Sequence, residues 1–549
     1  MLLDISSLSS SSLEELLVLL LRAEGYERSS SLMSAWGEHD FDEWTTQGAV
    51  RWIVETKGGL DPARLNDQAL RLAGARQLVA ADRALLITTA TVSNAKLRKV
   101  LDDLGVDLWD GPILDELISQ HPSAIGAFEA ERARRVAARR AGQLVLHRLS
   151  LRNFRGIESL ELDLRRGGSV LVLHGPNGAG KSAILTALSG LLSRLVQHVG
   201  NPKGKARTFS TTDLRNGTQD GAASLTADVE GHEITWVVAL GRGRSSISEL
   251  SDAATTIRAA LESTPGTSIP LAVYYPVNRA VVDIPQRIRG KREFPQLAAY
   301  EGALVAGNRD FRRFFEWFRL HEDLENERRI GDTDHRDPQL EAVRTAVAQL
   351  LPSVSNLRIQ RRPLRMTVDK GERELMVDQL SDGEKCLLAM VGDLARRLAI
   401  ANPSRGNPLQ CCAVVLIDEI ELHLHPGWQR EVIPRLQATF PGIQFVVTTH
   451  SAAVLGRLDR GSVVKIEDGR AYTDGPHTRG RDASSIMSDA MGIARHPPEV
   501  ERELAEIADL IDDERLDAAR EAIDVLAADR GDSDGEVVRL RTMVDFLDA

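Results

Sequence analysis

Apolar and polar positions follow two rhythms along this chain, one of period 3.6 and one of period 2, and the alternation between them predicts its elements. Residues 13–24 carry apolar side chains at helical spacing, strand-like stretches follow at 50–56 and 83–89, and a helical stretch at 62–80 lies between them. Ser12 and Glu15 have the spacing of a capping box for the first helix. Residues 123–143 are rich in Ala, Arg and Glu without a broad apolar face, which predicts a solvated connecting helix. A second α/β region opens with LVLHRLSLRNFRGIESLELDL, two alternating strands in a hairpin, and continues with an apolar strand at Val170–Leu173. Its closing strands fall at 413–417 and 443–448. Phe311, Phe314, Phe315 and Phe318 share one helical face while Arg312, Arg313 and Glu316 point away, so this stripe reads as buried packing before it reads as a platform for bases. Beyond about residue 475 the pattern is acidic and helical. No internal repeat and no sustained heptad run occurs between 190 and 380, which excludes long coiled-coil arms.

With 549 residues, and roughly 100 to 200 per domain, three or four domains fit. A composition of 42% hydrophobic and 27% charged residues excludes a mainly disordered or fibrous chain. No apolar run approaches the ~20 residues that span a bilayer, and Asp4 stands where a signal peptide carries positive charge, so the expectation is a cytoplasmic protein without membrane contact. Cys386 stands alone and Cys411 adjoins Cys412, which supplies neither a disulfide framework nor zinc spacing; metal chemistry here would use oxygen ligands. Residues 499–549 hold 17 Asp and Glu against 6 Arg, an excess that alone accounts for the net charge of −11. The remaining chain is near neutral, with basic clusters at Arg132–Arg140 and Arg358–Arg365, so nucleic-acid binding stays open.

The most specific motif is Gly175-Pro-Asn177-Gly178-Ala-Gly180-Lys181-Ser182, set between an apolar strand and a helix-like run. Such a loop turns backbone N–H groups inward around phosphates; Lys181 reaches the β/γ-phosphates and the Ser182 hydroxyl holds Mg²⁺. AVVLIDE then gives a buried strand ending in Asp418, expected to act through the metal's water shell, and Glu419, placed to polarise the attacking water. His450, after the strand IQFVVTT, would lie near the γ-phosphate. His423 and His425 in ELHLHP suit a connecting loop better than a metal site. Together with LSDGEK at 380–385, these motifs resemble the ABC-type ATPases of the structural-maintenance, recombination-repair and overcoming-lysogenisation-defect classes. The resemblance implies that Ser381 and Gly383 contact the γ-phosphate bound to a second copy, so that ATP joins two heads and monomers hydrolyse poorly. LSDGEK differs from the LSGGQ-like form at two positions. VYYPVNRAVVDIP, WFRLHEDLENE and the tail from RDASSIMSDAMG onward are similar to the ATPases of Septu and of some retron anti-phage systems. That likeness implies a defence role and an accompanying nuclease.

In HDFDEWTTQGAVRWIVETKGG an acidic residue precedes a short hairpin whose second strand carries Glu55-Thr56-Lys57. Alternate strand residues share a face, so Glu55 and Lys57 project together. An acidic residue with Glu55 can hold Mg²⁺ against a phosphodiester, and Lys57 can orient water or stabilise developing charge. Asp42 is preferred to Asp40 as the acidic partner because it adjoins the strand. With Gln68 in the following helix and ALLITTATVSNAKL beyond it, residues 12–118 resemble the Mrr-like branch of restriction endonuclease folds. The resemblance implies that Gln68 helps to order the site.

The expected architecture is therefore α/β: an Mrr-like endonuclease domain at 1–122, a linker helix at 123–143, an ABC-type P-loop head at 144–474 with an insertion at about 281–370, and an acidic helical region at 475–549. The expected function is an ATP-gated, Mg²⁺-dependent nuclease of prokaryotic anti-phage defence. It would act on nucleic acid, with DNA favoured over RNA, as a homodimer or higher homo-oligomer joined through its heads, with a further defence-system protein as a possible partner. Two other readings stand beside it: an ATPase scaffold whose N-terminal domain binds DNA or a partner without cutting, and a DNA-repair ATPase.

Overall fold

The computed structural model describes residues 5, 8, 10–33, 40–46, 50–57, 62–129, 140–201, 209–277, 293–305, 310–473, 477–481, 483–489 and 496–548. The chain divides into two compact units, Met1–Arg139 and Arg140–Ala549.

The first unit is built on a five-stranded sheet in sequence order: β1 (Glu27–Met33), β2 (Asp40–Thr46), β3 (Val50–Lys57), β4 (Arg83–Thr88) and β5 (Val106–Trp109). The first three strands run antiparallel; β3, β4 and β5 run parallel, joined by helical crossovers. The period-two pattern sorts the sheet into two faces. Trp44, Trp52, Val54, Leu85 and Ile87 pack with the leucines of α1 (Ser10–Ala23). Ile53, Ala84 and Leu86 pack with Leu65, Ala69 and Leu72 of α2 (Pro62–Leu78) and Leu97 and Leu101 of α3 (Ala95–Leu104). Helix α1 begins at Ser10, so Ser12 lies inside its first turn and is not the expected N-cap. Asp110, fully buried before α4 (Gly111–Gln120), accepts from the Val92 N–H at 3.2 Å and pairs with Arg98, which ties the segment after β4 to the end of β5.

The second unit holds two large sheets. An antiparallel sheet has the order β10 (His232–Gly241), β9 (Asp220–Val229), β6 (Leu144–Phe154), β7 (Ile157–Asp163). The main sheet runs β11 (Ala272–Tyr275), β15 (Ala413–Ile417), β16 (Ile443–Thr449), β8 (Val170–His174), β17 (Val463–Glu467), all parallel, with β18 (Arg470–Tyr472) antiparallel at the edge. Every residue of β8, β15 and β16 is buried, the signature of a sheet covered on both faces. Leu171 and Leu173 face α5 (Lys181–Gly200) and the antiparallel sheet, with α6 (Ser248–Ser263) packed behind. Val170 and Val172 face a core shared by α7 (Asp310–Arg328), α8 (Pro338–Leu350), a small sheet of β12 (Ser355–Arg361), β13 (Leu364–Lys370) and β14 (Arg373–Met376), then α9 (Asp382–Ala401) and α10 (Pro426–Thr439). Phe311, Phe314, Phe315 and Phe318 are all buried there, as is Trp317, so α7 is core. α11 (Pro498–Asp512), α12 (Leu516–Arg530) and α13 (Gly535–Leu547) close a small apolar core of their own at the acidic end of the chain.

Within the basic cluster at Arg358–Arg365, Arg358 and Arg361 meet carboxylates, while Arg362 is exposed. Arg358 pairs with Glu374, Arg361 with Glu322 and Asp323, and Arg365 bonds the Gln360 side chain. Of the other cluster, residues 132–139 lie outside the described residues.

One side chain joins the two large sheets. Pairing between β6 and β7 begins at Arg148, and just before it Gln444 of β16 takes over. Its amide accepts from the Leu146 N–H at 2.7 Å and donates to the carbonyls of Leu146 at 3.0 Å and Leu164 at 2.9 Å. Replacing Gln444 by Leu leaves three buried backbone groups unpaired and should destabilise the head by about 3 kcal/mol. Urea unfolding of the full chain measures this, and an unchanged midpoint would show that the clamp contributes nothing.

Candidate nucleotide and nuclease sites

The parallel register brings the ends of β8, β15 and β16 to one edge, where Ile417 neighbours Val447 and Thr449 neighbours His174. The phosphate-type loop leaves β8 at Gly175, whose φ is 146°; a Cβ there would sit 2.0 Å from the Ile466 carbonyl oxygen, so only glycine fits. Gly178 and Gly180 have φ of 81° and 106°, which turns the loop into the start of α5. Lys181 is buried, and its Nζ donates to the carbonyls of Gly175 and Pro176, both at 2.9 Å. Burial lowers the pKa of this ammonium, opposed by the charges of Asp418, Glu419 and Glu421. Its donors are held by loop carbonyls at the place where phosphate oxygens would compete for them.

Asp418 is 4% exposed. Its Oδ1 accepts from Ser182 Oγ at 3.2 Å and from Thr448 Oγ1 at 2.6 Å. Thr448 Oγ1 in turn accepts the Glu419 N–H at 2.8 Å, which helps to hold Glu419 at a φ of 48°, a left-handed conformation that costs a non-glycine residue energy. Glu421 accepts from Thr449 Oγ1 at 2.8 Å and from the His450 N–H at 2.5 Å, fixing the turn that carries the imidazole. The result is a cleft of about 550 Å³ whose lining includes Asn177, Gly178, Gly180, Lys181, Ser182, Asp418, Glu419 and His450, together with Arg155, Asp468 and Gly469. An oxygen pair from Ser182 and Asp418 beside a glycine-rich loop at a helix N-terminus is the donor set that Mg²⁺ and a polyphosphate require.

Ser381 and Gly383 stand elsewhere. Ser381 caps α9, its hydroxyl donating to the Glu384 carboxylate at 2.9 Å, and Lys370 holds the same carboxylate at 2.7 Å. A Cβ on Gly383 would meet the His423 carbonyl oxygen at 2.6 Å, so the signature and the ELHLHP loop fit together only with glycine. They line a second cleft with Leu424, His425 and Trp428, which shares no lining residue with the first. The Nδ1 of His425 accepts the Gly427 N–H at 3.3 Å as the N-cap of α10. Among the described residues no group of three or more metal-ligating side chains occurs, and both histidines belong to the connecting loop.

In the first unit, the register sets Asp42 opposite Val54 and not opposite Glu55. Asp42 therefore lies on the Trp44 and Val54 face, where it pairs with Arg28. Glu55, 2% exposed, shares the other face with Ile53, toward α2. Gln68 lies on the same side of α2 as Leu65 and Leu72, and its buried Oε1 has no hydrogen-bond partner among the described residues. The structure thus brings Glu55 and Gln68 to one side and Asp42 to the other. Lys57 ends β3 opposite Thr88; its side chain, like that of Asp40, lies outside the described residues.

A family model described as "AAA domain, putative AbiEii toxin, Type IV TA system" matches residues 170–456, just over half of the chain. The chain belongs to this AAA-domain family. A second model, of the restriction endonuclease (Mrr catalytic) family, matches residues 5–118. Among curated proteins, this AAA-domain chain is 30% identical over 450 residues to the retron Ec83 probable ATPase of Escherichia coli, covering 70% of this chain and 81% of that one. It is 29% identical over 365 residues to the retron Vc95 probable ATPase of Vibrio cholerae, covering 56% and 71%. It is 36% identical over 99 residues to the Septu protein PtuA of Bacillus mycoides, covering 18% and 13%. An Mrr-like domain ahead of an ABC-like ATPase head agrees with the fold class expected from the motifs.

Several residues of the AAA-domain site carry no motif that marks them. Arg155 reaches the cleft from the β6–β7 turn at a φ of 51°, anchored on Asp213 at 2.8 Å; its only sequence signal is a hairpin turn placed before the loop strand. Thr448 and Glu421 acquire their roles from the pairing of β16 with β15. His174 ends β8 almost fully buried, its Nδ1 without a hydrogen-bond partner among the described residues. Burial, helped by the charges of Lys465, Lys181 and His450, lowers its pKa from 6.5 to about 4.

Because the unfolded chain binds this proton below about 6.5 and the folded chain resists it down to about 4, the fold loses stability as pH falls through that window. The loss attributable to His174 should reach about 3 kcal/mol at the acid end. His174→Leu has no proton to bind, so its unfolding free energy plotted against pH should be flatter than the parent's between 6.5 and 4. Equal slopes would mean that His174 is not buried neutral.

Proposed function

We propose that this chain is an ATP-gated nuclease of prokaryotic anti-phage defence, cytoplasmic, working as a homodimer or higher homo-oligomer, with DNA as the favoured substrate. The observation that carries the reading is the separation of the phosphate-loop cleft from the signature cleft within one chain. A loop that lacks its signature in cis is completed by a second copy, so ATP joins two heads. Residues 1–122 are assigned to the nuclease, 123–143 to a linker, 144–474 to the head and 475–549 to an acidic helical region. The retron and Septu relatives support the defence role, and a separate defence-system protein remains a candidate partner.

In the head, Asn177, Gly178 and Gly180 shape the amide cradle, and Lys181 exchanges its loop carbonyls for phosphate oxygens. Ser182, with Asp418 acting through the metal's water shell, would hold Mg²⁺, which would supply charge compensation on the phosphates. Glu419 takes the proton of the attacking water, and His450, held by Glu421, stands at the γ-phosphate side. Ser381 and Gly383 of the second copy supply donors from the N-terminus of α9. In the nuclease, Glu55 would hold Mg²⁺ beside Gln68, and Lys57 would stabilise charge on the scissile phosphate. Asp42, paired with Arg28 on the opposite face of the sheet, would have to leave both the pair and that face to take part.

That Asp42 geometry specifically favours a second reading, in which the N-terminal unit binds nucleic acid without cutting. Purified full-length protein incubated with DNA and RNA substrates, with Mg²⁺ and with or without ATP, separates the two. On the nuclease reading Lys57→Ala lowers cleavage about 10²-fold or more while ATP turnover persists, because the groups lie in different units. Cleavage at the parental rate by Lys57→Ala ends the N-terminal nuclease assignment, and no cleavage by the parent leaves the binding reading.

The ATPase assignment has its own measurement. Lys181→Ala should lose nucleotide binding, whereas Glu419→Gln should bind ATP and fail to turn it over, since only the base is removed. Normal turnover by Glu419→Gln would end the assignment of Glu419 as the base.

A further inference from the structure

The helix that carries the signature is fastened to the strand edge of the nucleotide site by a fully buried charged cluster. Asp393, three turns into α9, is 1% exposed, as is Arg396, and Arg397 is 0% exposed. Arg396 donates to Asp393 Oδ1 at 2.6 Å and Arg397 Nε to Oδ2 at 2.6 Å. Burial acts to raise the Asp393 pKa, but Arg397 and Arg396 hold it below the ordinary carboxylate value. Arg397 also donates to the carbonyls of Ala299 at 2.7 Å and Glu301 at 3.0 Å, so the cluster grips the chain segment beyond β11. Tyr275, the last residue of β11, completes it: its hydroxyl donates to Asp393 Oδ2 at 3.1 Å. The same residue pairs with Ile417, and its carbonyl accepts the Asp418 N–H at 2.9 Å.

A single tyrosine therefore touches the acidic strand end through its backbone and the signature helix through its side chain. For packing alone a phenylalanine would fill this place; the hydroxyl has a directional task, setting α9 along its axis against β11. We propose that Tyr275 is a positioning residue: through Asp393 its hydroxyl holds the signature helix at the placement from which Ser381 and Gly383 reach the ATP bound by a second copy. This rests on the shared-site reading given above. Tyr275 touches no reacting atom; it acts through Asp393 and α9.

Tyr275→Phe keeps the carbonyl bond to Asp418 and removes only the bond to Asp393, which makes the effect directional in mixed dimers of the full chain. One chain carries Ser381→Arg and donates the loop; the other carries Lys181→Ala and donates the signature, leaving one composite site. Tyr275→Phe in the signature-donating chain should lower ATP turnover about tenfold, and in the loop-donating chain by no more than about twofold, a contrast that uniform destabilisation cannot produce. In the homodimer, Tyr275→Phe should lower kcat with the affinity for a non-hydrolysable ATP analogue unchanged, and Asp393→Asn, which keeps the shape but not the charge, should follow the same split. Equal loss from both placements, or retained turnover in the signature-donating chain, overturns the proposal while leaving the ATPase reading intact. Absence of turnover in the parent removes the ATPase reading itself and this proposal with it.

Discussion

A carboxylate taken out of water must find donors, and the head is organised around meeting that requirement for Asp418. Burial to 4% exposure makes its partners obligatory. They come from three elements: the Ser182 hydroxyl from the start of α5, the Thr448 hydroxyl from β16, and the Tyr275 carbonyl for its own N–H. Each bond forms only if β8, β15, β16 and β11 lie in the observed parallel register. The sheet therefore specifies the site, and the site's polar bonds penalise any slip of the sheet, because a shift of one residue would leave the carboxylate buried among apolar side chains.

The same logic extends outward in two directions. Toward the antiparallel sheet, Gln444 pairs the backbone where β7 no longer does, so the loop strand and the β6–β7 turn that bears Arg155 are parts of one framework. Toward the other face, the Asp393 cluster fixes α9 by charge-assisted bonds, where apolar packing alone would tolerate a rotation or slide of the helix. Buried ion pairs are weak evidence for stability, since desolvation offsets most of the attraction, but they are exacting about geometry. On the shared-site reading, that exactness suits a helix whose N-terminus presents groups to another molecule.

The fully buried strands were legible from their apolar stretches, complete in β15 and interrupted by His174 in β8 and by Gln444, Thr448 and Thr449 in β16, and the loop glycines were legible because only glycine takes the required φ. The buried phenylalanine stripe of α7 followed from its 3.6 period. Pairing was not legible. Period-two patterning states which residues of one strand share a face, as for Glu55 with Ile53, but it is silent on register between strands, and so it could not say that Asp42 sits opposite Val54. Glu421 and Thr448 escaped notice for the same reason: neither belongs to a motif whose role is local, and both act only because β16 lies beside β15. In the basic run 358–365 the partners of Arg358 and Arg361, namely Glu374, Glu322 and Asp323, were not legible, since they are close in space but not adjacent in sequence.

The signature end of α9 shows why a single chain is a poor enzyme on the shared-site reading. Ser381 and Glu384 satisfy each other in a closed capping box, and Lys370 neutralises the carboxylate, so without a second copy the helix N-terminus already has its donors and acceptors matched. A γ-phosphate would have to displace Glu384 from the Ser381 hydroxyl, exchanging one anion for another of higher charge at the positive end of the helix dipole. Such an exchange is nearly balanced in hydrogen bonds, so the extra stabilisation comes from charge and from apposition of two heads. Both depend on where α9 is held, and only a helix anchored along its length can discriminate a phosphate at the right distance from one that is not.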